Sequence, residues 1–143
     1  MRRYLVVAHQ TLGSAELLQA MRAKASEEDT AFHLVVPIYH GERGLTWTEG
    51  HDRAIARRRL DEAKELFGGE GLTVAGEVGT DSPVESVVQV IRRHPPETYA
   101  GIIVSTLPRP VSKWLRADVP SRIQRRTTLP VDHVIGHPVK VAV

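Results

Sequence analysis

The chain has 143 residues, 41% of them hydrophobic, the size of one compact domain with a substantial core and too short for two ordinary ones. Its formal net charge is only +2 and it contains no cysteine, which excludes a disulfide framework, a thiolate metal site and a cysteine nucleophile. That composition fits a reducing compartment, with the cytoplasm as the default.

The opening run, Met1-Arg-Arg-Tyr-Leu-Val-Val-Ala8, is basic and then apolar, but it stops at His9 and Gln10, short of a signal-peptide core or a membrane span. It predicts a first strand over residues 3–8. Further strands are predicted over 31–38, 72–78, 101–106 and 130–135, with helical stretches between them, and that alternation means a parallel sheet. Leu5-Val-Val-Ala8 and Ile102-Ile-Val104 are apolar on consecutive residues, as strands covered on both faces should be, so they belong at the centre. The more polar Thr73-Val-Ala-Gly-Glu-Val78 contains Gly76 and is placed at or near an edge.

A first helix is expected from about Ser14 to Lys24, with Leu17, Leu18 and Met21 on one face. A second, longer helix carries Ile55, Leu60, Ala63, Leu66 and Phe67 and ends at Gly68-Gly69, whose glycines can take the left-handed conformation. Ser82-Pro-Val-Glu85 predicts the third: Ser82 caps, Pro83 fits the first turn, and Glu85 reaches back to complete a capping box. That helix should close at His94-Pro-Pro96. The fourth helical region must break at Pro120, giving a short turn around Ser112 to Arg116 and a second piece with Asp118 as N-cap and Ile123 facing the core. Residues 39–49, with Gly41 and Gly44, form the one long irregular connection, the kind that often carries function.

The stretch from Gly101 to Pro120 runs from a buried strand into a helix start, where a parallel α/β protein puts its ligand. Phosphates are held at such places by backbone N–H groups on glycine-rich loops, whereas Pro108 and Pro110 here each remove a donor. The order of elements resembles the universal stress protein family over nearly the whole chain. Ile102-Ile-Val-Ser-Thr106, Val111-Ser-Lys-Trp-Leu115, Val119-Pro-Ser-Arg-Ile123 and Leu129-Pro-Val-Asp-His-Val134 match the spacing of that family's last strands, phosphate loop and helix. The resemblance implies a Rossmann-like, adenine-nucleotide-hydrolase-like α/β domain: an open five-stranded parallel sheet of order 3-2-1-4-5, helices on both faces, commonly dimeric. Nucleotide-binding members carry Gly-x-x-Gly, nine more residues, then Gly-Ser/Thr. Val104, Leu107, Ala117 and Asp118 stand in those places, and His9 stands where such members carry a carboxylate near the adenine. A carboxylate at Asp118 would repel phosphate, by roughly 4 kcal/mol at 4 Å and an effective dielectric near 20, although Arg109, Lys113 and Arg116 could offset it.

The candidate cleft therefore comprises His9, Val36, Ser105, Thr106, Arg109, Lys113 and Asp118. His9 could meet a ligand and titrate near neutral pH, or bond a backbone carbonyl as an ordinary strand-end residue. Ser105 and Thr106 could donate to a ligand or satisfy the loop's own backbone. No Gly-x-Ser-x-Gly elbow surrounds Ser105, and no catalytic residue is assigned. Trp114 could stack on a base, or cover the core or a subunit contact. The seven histidines form no His-x-x-x-His pair on a helix, His133 and His137 having that interval only across a strand end, so no metal is expected. Arg122, Arg125 and Arg126 could hold nucleic acid but read more simply as a solvated face. The tail alternates Val139, Val141 and Val143 and, with the fifth strand, is expected to form a two-fold contact. The sequence thus points to a non-catalytic, universal-stress-like cytoplasmic homodimer with no cofactor. The alternative is an ATP or AMP binder, or slow ATPase, using Arg109 and Lys113 in place of glycine N–H groups.

Overall fold

Consecutive β-branched and aliphatic residues pull the chain into strands that are buried on both sides, and the amphipathic segments between them return it across the sheet. The computed structural model describes residues 1–40, 49–95 and 97–140, and the irregular connection expected around Gly41 and Gly44 lies largely outside them. In chain order the elements are β1 (Arg2–Val7), α1 (Ala15–Glu27), β2 (Thr30–Val36), α2 (Glu49–Gly69), β3 (Thr73–Val78) and α3 (Pro83–Arg92). Then follow β4 (Gly101–Thr106), one 3-10 turn (Arg109–Val111), α4 (Lys113–Arg116), α5 (Val119–Gln124) and β5 (Val131–Ile135). All strand pairs are parallel and the order is β3-β2-β1-β4-β5, as the resemblance implies.

The period of two along β1 divides its side chains between two cores. Tyr4, Val6 and Ala8 join Leu17 and Met21 of α1 and Leu60 and Phe67 of α2 on one face. Leu5 and Val7 join Val87 of α3 and Val119 and Ile123 of α5 on the other. The apolar stripe of α2 runs through Ala56, Leu60, Ala63 and Phe67, while Ile55 is half-buried and Leu66 is 42% exposed. Helix α1 continues to Glu27, a turn beyond the expected end, with the Ser14 hydroxyl accepting from Leu17 N–H.

Three local expectations are corrected by the structure. Gly68 and Gly69 lie in the last turn of α2, and the left-handed residue that follows is Gly71, at φ +84°. Ser82 does cap α3, accepting from Glu85 N–H at 3.1 Å, but the box stays half built: Ser82 N–H goes to Thr80 Oγ1 and the Glu85 carboxylate pairs with Arg126. Asp118 is not a side-chain cap. It sits at φ 55°, ψ 41°, donating its N–H to Leu115 and accepting from Arg122 N–H through its carbonyl, so it is the left-handed hinge between α4 and α5. Aspartate tolerates that conformation better than most residues with a Cβ.

Gly76 shows how tightly α2 sits on the sheet. A Cβ there would lie 2.6 Å from both the Leu34 carbonyl oxygen and Leu60 Cδ1. Gly76→Ala is expected to lower stability by about 1–3 kcal/mol through overpacking. Urea unfolding measures this, and an unshifted midpoint would show that the packing yields freely.

Candidate functional site

In an open parallel sheet the ligand crevice lies beyond the carboxyl ends of the strands, where the strand order reverses, which here is between β1 and β4. Val6 pairs with Ile103 and Val7 with Val104, so the residues that follow β1 meet the end of β4. The recess there is lined by His9, Gln10, Thr11, Tyr39, Ser105 to Leu107 and Ser112 to Trp114. Its cavity volume is about 20 Å³, room for little more than a water molecule and far below the rough 300–1,000 Å³ range of small-molecule sites.

The serine and threonine hydroxyls lining it are engaged within the protein. Thr11 Oγ1 and Ser105 Oγ share a hydrogen bond of 2.5 Å across the β1 and β4 ends. Thr106 Oγ1 donates to the Leu107 carbonyl at 2.9 Å and lies 2.7 Å from His133 Nε2. Ser112 Oγ accepts from Leu115 N–H and so caps α4. The lining side chains also pack on one another: the Tyr39 ring lies 5.4 Å from the His9 ring, and Lys113 Nζ stands 5.2 Å from the Tyr39 centroid. Trp114 lines the recess and packs against the core on the α3 and α5 face.

Of the candidate residues, His9, Ser105, Thr106 and Lys113 line the recess together, whereas Val36, Arg109 and Asp118 do not. Val36 is fully buried in the core shared with α1 and α2. Arg109 is exposed on the 3-10 turn, where its charge adds to burial in lowering the pKa of His133. Asp118 is exposed at its hinge, 3.8 Å from Arg125. His9 is 3% exposed, and burial, reinforced by the Arg59 charge, pushes its pKa down to about 3. Titration near neutrality is therefore ruled out by desolvation.

Sequence reasoning missed Tyr39, Gln10 and Thr11, and it missed a second polar cluster. Asp52, 1% exposed, accepts from His40 Nδ1 at 2.7 Å, and His40 Nε2 faces Asp81 at 3.7 Å. Its signal was available: Asp52, Ala56 and Leu60 are spaced by four on the buried stripe of α2, where a carboxylate demands a partner.

The described tail runs along its own chain. Val139 N–H donates to Gln10 O at 2.7 Å, Arg59 Nη1 donates to Val139 O at 2.7 Å, and His137 Nδ1 lies 2.6 Å from Glu16 Oε2. Val141 and Val143 of the expected alternation lie outside the described residues. The basic patch is partly neutralised, with Arg126 bonded to Glu85 at 3.0 Å and Arg125 near Asp118.

No protein-family model and no curated protein sequence matches the chain. Solved structures do. A universal stress protein from Archaeoglobus fulgidus aligns with TM-score 0.64 at 15% identity, over 94% of this chain and 93% of that one. A universal stress protein in complex with cAMP aligns with TM-score 0.60 at 16% identity, over 95% and 98% of the two chains. A universal stress family protein from Arabidopsis thaliana with AMP bound aligns with TM-score 0.57 at 11% identity, over 96% and 93%. The chain has the fold of the universal stress proteins.

The depressed pKa of His9 links its protonation to folding. Between about pH 6.5 and about pH 3 the unfolded chain takes a proton that the folded chain refuses, so stability falls as pH is lowered through that window. The slope from this group approaches about 1.4 kcal/mol per pH unit. Denaturant midpoints against pH, compared with His9→Gln, should show that component in the wild-type chain and its loss in the variant, and equal slopes would contradict the assignment.

Proposed function

We propose that this chain is a non-catalytic, universal-stress-like regulatory protein of the cytoplasm, acting as a homodimer and binding no nucleotide in the family's manner. The observation that carries this reading is the state of the crevice at β1 and β4. Its serine and threonine hydroxyls are engaged within the chain, Pro108 and Pro110 remove N–H donors from the loop beside it, and Lys113 packs over the Tyr39 ring in its lining. An imidazole with a pKa near 3 is also a poor proton shuttle at neutral pH, which supports a site without general acid–base chemistry. The similar structures whose names include cAMP and AMP keep the nucleotide question experimental.

The homodimer reading rests on β5. It is an edge strand of the sheet, with Ile135 51% exposed, and such an edge offers unpaired backbone groups to a second copy. Because the described tail is bonded to its own chain, the contact centres on the strand itself. Among the described residues no helix is long and apolar enough to cross a membrane.

Calorimetric titration of nucleotide-stripped protein with ATP, AMP and cAMP should give no saturable heat up to millimolar nucleotide. Micromolar binding that disappears in an Arg109→Ala, Lys113→Ala double variant would replace this reading with the nucleotide-binding one. For the assembly, light scattering at micromolar protein should give twice the 15.9 kDa chain mass, falling to one chain in Ile135→Glu; a monomeric wild-type chain would exclude the β5 contact.

A further inference from the structure

Beyond the carboxyl end of β3, apart from the recess at β1 and β4, the chain leaves an open groove of about 630 Å³. Arg53 of α2 and Gln89, Arg92 and Arg93 at the α3 side line it, together with Glu77 and Asp81, over an apolar floor of Ile38 and Val78. Its wall is rigidly built. Gly79 has no room for a side chain, because a Cβ would lie 2.4 Å from Ser86 Oγ. That hydroxyl accepts from Thr80 N–H at 2.9 Å and donates to Ser82 O at 2.7 Å, while Ile38 N–H donates to Thr80 O at 2.8 Å.

Three guanidinium groups thus face one groove with two carboxylates. Glu77 is already committed, to Arg93 and to His33 Nε2 at 2.8 Å. Burial opposes its ionisation, but those two bonds outweigh it and hold its carboxyl below the ordinary range. Asp81 stands at the exposed rim near His40. The Arg92 guanidinium makes no hydrogen bond or ion pair among the described residues, though it lines the groove on a helix held by the core. Guanidinium forks match phosphate oxygens two at a time, and a volume of this size exceeds what an isolated ion needs.

We infer that the groove beyond β3 is a binding site for a phosphate-bearing small molecule, with Arg53, Arg92 and Arg93 as donors to the phosphate and Ile38 and Val78 beneath its apolar body. This site is independent of the crevice at β1 and β4, and its occupancy does not depend on whether that crevice takes a nucleotide.

The test is an NMR titration of the full-length, isotope-labelled protein with pyrophosphate and ribose 5-phosphate, with citrate as the carboxylate comparison, at about 0.15 M salt to screen loose attraction. Saturable amide shifts confined to residues 77–81 and 89–93 are expected, with affinity reduced about tenfold or more in Arg92→Gln. Arg122→Gln, on the exposed side of α5, should leave it unchanged. Non-saturating shifts spread over Arg116, Arg122 and Arg125, citrate binding as well as pyrophosphate, or an unaffected Arg92→Gln variant would each overturn the inference.

Discussion

The parallel pairing of β1 with β4 is the constraint on which the rest of the molecule depends. It places two fully buried aliphatic runs side by side at the centre of the sheet, and each supplies side chains to both cores. The same register brings the polar residues after β1 against the last residues of β4. The hydrogen bond between Thr11 and Ser105 follows from it, and with it the narrow recess above. In this fold the order of strands reverses at that point, so what stands there decides what the sheet's ligand crevice can accept.

What stands there includes four serine and threonine hydroxyls bonded within the chain. A loop rich in glycine would turn N–H groups toward a phosphate, whereas this loop presents prolines and then a short capped helix carrying Lys113 and Trp114. The buried histidine of the recess, His9, is kept uncharged by burial and by the nearby Arg59. The described tail lies across the neighbouring surface and binds Gln10 and Glu16, adding a further layer over the β1 to α1 turn. Positive charge without an ion-pair partner among the described residues lies instead beside β3, at Arg92, over the larger groove. Closure at the switch point and openness at the edge are complementary features of one architecture.

The sheet was legible because its signal is collective. Doubly apolar runs at residues 5–8 and 102–104 identified the central strands, and the polar character of Thr73–Val78 identified an edge. The Ser-Pro motif at Ser82 fixed a helix start because both the hydroxyl and the proline act locally. Where partners arrive from elsewhere in the chain, local reading failed. Asp118-Val-Pro120 fits a capped helix start, but the preceding α4 reaches it from a direction that needs a left-handed residue. Glu85 has the position of a capping-box acid, yet Arg126, distant in sequence, takes its carboxylate. Gly76 was readable as a weak strand residue; its reason is the approach of Leu60 from α2. The candidate site divides in the same way. His9, Ser105 and Thr106 follow from strand ends, while Tyr39 enters the recess through tertiary packing that no periodicity records.

The crevice at β1 and β4 is closed in by the chain's own side chains, with room for little more than a water molecule. Nuclear Overhauser contacts in the nucleotide-free protein test this most directly, between the Tyr39 ring and both the His9 imidazole and the Lys113 side-chain methylenes. Both contacts are expected, as is their persistence when millimolar AMP is added. Their absence, or their loss together with saturable shifts at Gln10, Thr106 and Lys113, would mean that the crevice is open and takes a nucleotide after all.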